Sequence, residues 1–308
     1  MYGIEQMKAH GILFSIIKEK EASRIMQTEY TPDQLLLYAA LFPCYQTTEK
    51  KGQAIHVEFA YLYDLAGLDR CLQKIMSALC TDVEQTLRTV FTADCFRVNA
   101  ADDLVETYVA ANADDLFSAY SPEQNDFLAK HPVTLSKLSL YSFLNVLQFG
   151  SLQRFLRFFY DKYAPVLYHT PYAPFESSLE SIRRVRNASV HGNGLLWRIS
   201  EPADASFQKN LSLLSWLGRQ RIGQKTRQTN MSKPIVHDLA CLLYQSVSLL
   251  PHTQCEEFFS AFHGFLMEQC TAHASYYAQS PMLLSAYRFA CRLLSVLTEN
   301  NFSTKKDG

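Results

Sequence analysis

CLQKIMSALCTDVEQTLRTVF, residues 71–91, decides the fold class. Its apolar side chains fall at Leu72, Ile75, Met76, Leu79, Val83, Leu87 and Val90, the i, i+3, i+4 recurrence of a helix with one face turned to a core. Glu84 and Arg88 stand four apart on it and suit an ion pair rather than a catalytic role. Outward from this stretch the same period continues. Residues 133–147 and 151–163 read as two helices broken at Phe149-Gly150, with Ser151 placed as a cap. Residues 234–250 and 281–297 each open on a proline, behind Ser232 and Ser280, and residues 255–270 supply another helix. Phe155, Phe158, Phe159 and Tyr160 lie at core spacing. Residues 54–59 and 195–200 are the strand candidates, both short. The polar stretch 219–233 reads as a loop and the last eight residues as a frayed tail. The expected fold is all-α, one helical domain over residues 1–250 with a helical extension over 251–308 packed on it.

Composition bounds the rest. The chain has 308 residues and is 48% apolar, a globular balance with enough length for a full core. Its eight cysteines show neither Cys-x-x-Cys spacing nor a histidine at zinc spacing, so they read as reduced core thiols, and no metal or other cofactor is expected. Residues 1–20 read as a helix rather than a signal peptide. No run approaches the ~18 apolar residues of a membrane span. A cytoplasmic protein without a membrane partner is the expectation.

The formal net charge of −1 hides an asymmetry. Residues 183–233 hold ten Lys or Arg against Glu201 and Asp204, a local +8 that leaves −9 for the remainder. Such a window is the footprint expected of a phosphate-rich partner, RNA above all. Arg183, Arg184, Arg219, Arg221, Lys225 and Arg227 are its candidate RNA-binding residues; a solvated basic loop without a partner explains the charge equally well.

Within this window, Phe175, Leu179, Ile182, Val185 and Val190 recur at helical spacing up to a Gly192-Asn193-Gly194 stop. Projection at ~100° per residue puts Arg186 at the centre of the apolar stripe, where a guanidinium needs an anion. An internal carboxylate, a bound phosphate and a group from a second chain all fit. Asn187 and His191 stand four apart on the neighbouring face. A histidine that titrates near neutral pH beside an anchored arginine is what phosphodiester cleavage requires.

These residues carry a resemblance. Arg186-Asn187-x-x-x-His191 resembles the Arg-polar-x-x-x-His signature of the HEPN superfamily of helical ribonucleases. IEQMKAHGILF (4–14), DLAGLDRCLQKIMSALCTDVEQTLRTVF (64–91), SFLNVLQFGSLQRFLRFF (142–159) and IRRVRNASVHGNGLLW (182–197) are together similar to the bacterial abortive-infection Abi family of the AbiD/AbiF type, over residues 4–250. The chain departs from the family pattern at Asn145, where a carboxylate is usual, and at 192–197, where a second His and an Arg are common. The resemblance implies a HEPN-like bundle with additional N- and C-terminal helices, and a metal-independent endoribonuclease of a phage-defence or toxin-antitoxin system. His191 would be acid or base, Arg186 the phosphate clamp and Asn187 the orienting group. A homodimer and a restraining antitoxin or structured RNA are implied partners. The alternatives are a non-catalytic RNA-binding protein of the same fold and a protein-interaction scaffold. Asp69-Arg70 is expected to be a structural cap or ion pair, and His237 to be surface-exposed.

Overall fold

The computed structural model describes residues 2–47, 49–112, 135–169 and 173–303. They are overwhelmingly helical, and the all-α reading holds. In chain order come α1 (Ile4–Ala9), β1 (Ile12–Leu13), α2 (Glu19–Thr28), α3 (Pro32–Leu36), β2 (Val57–Glu58), α4 (Phe59–Arg97), α5 (Leu104–Ala111), α6 (Leu140–Val146) and α7 (Phe149–Tyr168). Then follow α8 (Ala173–Val190), α9 (Leu211–Arg219), α10 (Gln224–Met231), α11 (Pro234–Leu249), α12 (His252–Gly264) and α13 (Pro281–Ser303). A π-helical turn, Phe265–Gln269, extends α12.

Local chemistry sets the ends of these helices. Thr31 and Gln34 close a reciprocal capping box on α3, with Pro32 in its first turn. Pro234 and Pro281 open their helices as expected. The Ser280 hydroxyl accepts the Leu283 N–H at 3.3 Å, whereas Ser232 bonds back to the Thr229 carbonyl and caps nothing ahead of it.

Several expectations need correction. The first twenty residues are not one helix: Gly11 takes a left-handed φ of +81°, and β1 pairs in parallel with β2 through Ile12–Val57 and Leu13–Glu58. The strand candidate at 195–200 is a 3-10 turn, Trp197–Ser200. Part of the 219–233 stretch is helix α10; its polar composition hides a segment anchored by the buried pair Asn230 and Met231. The α6/α7 break falls at Leu147-Gln148, so Ser151 lies buried inside α7 rather than capping it. Helix α13 runs on to Ser303, beyond the expected start of the tail; residues 133–134 and 304–308 of those readings lie outside the described residues.

The chain forms two compact units, Met1–Cys80 with Arg184–Gly308, and Thr81–Arg183. In the second unit Phe91, Phe143, Phe155 and Phe159 are fully buried, and their rings meet edge-to-face at 5.0–5.2 Å, each pair adding about 0.5–1.5 kcal/mol beyond area burial. Arg88 pairs with Glu84 as its spacing implies, and also donates to the Leu144 and Leu147 carbonyls. It thereby caps the C-terminus of α6, whose last carbonyls have no partner within the helix. Asp94 is buried and accepts the hydroxyls of Tyr160 and Tyr168.

Candidate functional site

Helix α8 carries the motif. Its buried residues are Ser178, Leu179, Ser181, Ile182, Val185, Ala188 and Ser189, while Val190 is 52% exposed. Counting only large apolar side chains includes Val190 and omits the small residues that a close-packed face favours. The buried face is therefore rotated, and Arg186 stands half-buried on its flank rather than at its centre. Its Nη1 lies 3.4 Å from Asn187 Oδ1, and it forms no ion pair among the described residues. Internal neutralisation by a described carboxylate, one of the three options for Arg186, is thus not what the fold uses.

His191 is exposed, just past the last turn, its N–H bonded to the Asn187 carbonyl at 3.1 Å. The helix then stops. Gly192 takes φ +66°, and the Asn193 N–H reaches back to the Ala188 carbonyl at 3.0 Å, a Schellman-type closure. Gly194 (φ +70°) could carry no Cβ, which would stand 2.3 Å from Trp197 Nε1 and 2.9 Å from Asp69 Oδ2.

Asp69 of α4 fixes this turn. It is fully buried; the Leu195 N–H donates to its two oxygens at 2.8 and 3.1 Å, and the Tyr38 hydroxyl donates at 2.8 Å. Burial pushes its carboxyl above the usual range, opposed by these donors. The structural role expected of Asp69 is correct, but its partner is a turn 126 residues on, which spacing cannot reveal. Its neighbour Arg70 stacks its guanidinium over the Tyr30 ring at 4.6 Å.

The basic window is partly neutralised. Arg183 pairs with Glu180, Arg198 with Glu201, and Arg184 grips Asp238 through Nε and Nη2 at 2.6 and 2.7 Å. His237, expected at the surface, is 1% exposed. Its Nε2 accepts the Asn210 N–H at 2.9 Å, which leaves Nδ1 facing Asp238 Oδ1 at 3.1 Å. Burial alone would raise the Asp238 carboxyl, yet Arg184 and His237 hold it below its ordinary value. Lys233 donates to the Ile199 carbonyl at 2.9 Å, and burial lowers its pKa. Arg219, Arg221 and Lys225 are exposed, whereas Arg227 is half-buried against Gly218 and the Leu214 carbonyl. The structure joins Arg186 to Asn187; none of these four basic side chains is hydrogen-bonded to Arg186, Asn187 or His191 among the described residues. No group of three or more potential metal ligands occurs among the described residues.

The fold and site define an all-helical protein with a helix-borne Arg-Asn-x-x-x-His motif. The model of the Abi-like protein family matches residues 37–197, which run from before α4 through the motif to Trp197 and make up more than half of the 308-residue chain. The chain belongs to the Abi-like protein family. The match is shorter than the span of resemblance read from the sequence and ends before α9. No curated protein and no solved structure matches it. Among the described residues no helix is long and apolar enough to cross a membrane.

Proposed function

We propose that this protein is a metal-independent endoribonuclease of a bacterial abortive-infection or toxin-antitoxin system, of the HEPN type and the AbiD/AbiF kind. The observation that carries the reading is Arg186, a half-buried guanidinium on the motif helix with a neighbouring amide but, among the described residues, no carboxylate. Such a group favours a bound anion, and a planar fork suits two phosphate oxygens. Family membership supports the phage-defence setting.

In the proposed reaction His191 removes the proton from a ribose 2′-OH, or protonates the leaving oxygen. The 2′ oxygen attacks phosphorus and the bond to the 5′ oxygen breaks, giving a 2′,3′-cyclic phosphate and a 5′-hydroxyl. Arg186 stabilises the charge growing on the phosphate, and Asn187 orients the guanidinium. His191→Ala is expected to lose about 10²–10⁴-fold in cleavage rate while retaining RNA binding. Arg186→Lys is expected to be poor as well, since an ammonium keeps the charge and loses the fork. A His191→Ala protein of full activity would exclude this role.

One observation favours a second reading, an RNA-binding protein of the same fold that holds a structured RNA. The His191 ring has no hydrogen-bonded partner among the described residues, whereas an acid/base histidine is ordinarily oriented by one. Tight, salt-sensitive binding with no cleavage under any condition would select it.

A further inference from the structure

The unit formed by residues 1–80 and 184–308 holds a half-open cavity of about 190 Å³. Its deep wall includes Leu72 of α4, Leu243 of α11, the π-helical Phe265 and Leu266, and Phe289 and Leu293 of α13. Each of these six is buried, so the space reaches into the core of the unit, although it is half open to solvent. On one side the lining becomes accessible: Thr271 and Ala274 are exposed and Tyr287 is half-buried, which places a mouth between the 270–274 turn and the start of α13. Among the described residues no Asp, Glu, Lys, Arg or His lines the space.

The polar atoms at the mouth are few and already committed as donors. The Thr271 hydroxyl donates to the Met267 carbonyl at 2.6 Å, the Tyr287 hydroxyl to the Leu266 carbonyl at 3.3 Å, and the Tyr277 hydroxyl to Asp64. A hydroxyl that has given its proton still accepts, so this rim offers acceptors to a donor; the Asp64 carboxylate beside Tyr277 is itself bonded to His273, and neither of the two lines the space. The π-helical turn is a separate pointer. It inserts a locally wider, less well-bonded turn into the cavity wall, a device that recurs at functional sites.

We propose that this cavity binds a neutral, apolar small molecule bearing one hydrogen-bond donor, of about the size of a fused two-ring aromatic. An apolar cavity of roughly 150 Å³ admits benzene, and charged molecules would lose their hydration with nothing to replace it. Leu196 and Ile199 also line the space, and Leu196 follows the residue that Asp69 pins. A guest would therefore rest against the segment leading away from His191. The inference is independent of any ribonuclease activity.

The full chain should be titrated with indole, with benzoate as the charged counterpart, by ligand-detected saturation-transfer NMR and thermal melting. Indole is expected to bind saturably and raise Tm, as a ligand selective for the folded state must, while benzoate does neither. Ala290→Phe and Ala286→Phe, which project a ring into the cavity from α13, should each weaken indole binding by tenfold or more with helical circular dichroism retained. Leu243→Met, which nearly conserves volume, should keep binding and serves if both ring variants fail to fold, with displacement of its indole signal by 1-naphthol as the readout. No indole response in the native chain, an equal response to benzoate, undiminished binding in a folded ring variant, or indole that 1-naphthol does not displace would each overturn the proposal.

Discussion

Arg184 and Asp238 show how a residue's partner can be hidden from a count of charge along the chain. In the sequence Arg184 adds to a basic patch; in the fold its guanidinium is spent on a carboxylate 54 residues away, itself backed by His237. The pair makes a prediction about pH. Because the folded-state pKa of Asp238 lies below its ordinary value of 3.8, the stability it contributes is present above that value and is lost as pH falls through the lowered one. Arg184→Met should cost about 2–3 kcal/mol in urea denaturation at pH 7, less than the ~3–5 of a fully buried pair because Arg184 is partly exposed. The difference between native and variant should shrink toward pH 3; a constant difference would mean that packing, not charge, is responsible. The partners of Asp69 and the burial of His237 escape a sequence reading for the same reason as the pairing of Asp238. Each residue is defined by a partner distant in the chain, whereas Arg186, Asn187 and His191 share one helix turn and its end and can be read together.

At the scale of elements, strong apolar periodicity is legible and weak periodicity is not. The stripe at 71–91 sits inside the single helix α4, and both proline-opened helices stand at their expected places. Helix α10 is invisible in the sequence because only its last residues are buried, so it has the composition of a loop. β1 and β2 contribute two residues each, too few for alternation to register. This correction changes a test of the basic surface. Arg227 packs against Gly218 across α9 and α10, so reversing its charge would disturb the fold as well as the patch. Arg219→Glu, Arg221→Glu and Lys225→Glu touch exposed side chains and should each change stability by no more than about 0.5 kcal/mol. The triple variant should bind RNA more weakly at low salt, its log–log salt slope shallower by about 0.7 for each phosphate that is no longer neutralised. Unchanged affinity with a normal melt would remove this surface from the site.

For the whole molecule, Abi-like family membership rests on residues 37–197, while the cavity draws on helices beyond that span. The half-buried Arg186 and the exposed Val190 beside it leave an unfinished surface on the motif helix. Pairing of two motif helices would give Arg186 and His191 a shared cleft, so light scattering is expected to show a dimer at micromolar concentration; a monomer that still cleaves RNA would show one chain to be sufficient. The most direct test of the ribonuclease reading is to incubate purified protein with RNA in excess EDTA and map the new ends. The proposed chemistry uses only His191, Arg186 and the substrate's own 2′-OH, so it predicts cleavage that leaves 2′,3′-cyclic phosphates, or their hydrolysis products, opposite 5′-hydroxyls and stops when the 2′-OH is blocked. Strict dependence on Mg²⁺ with 5′-phosphate products would contradict it.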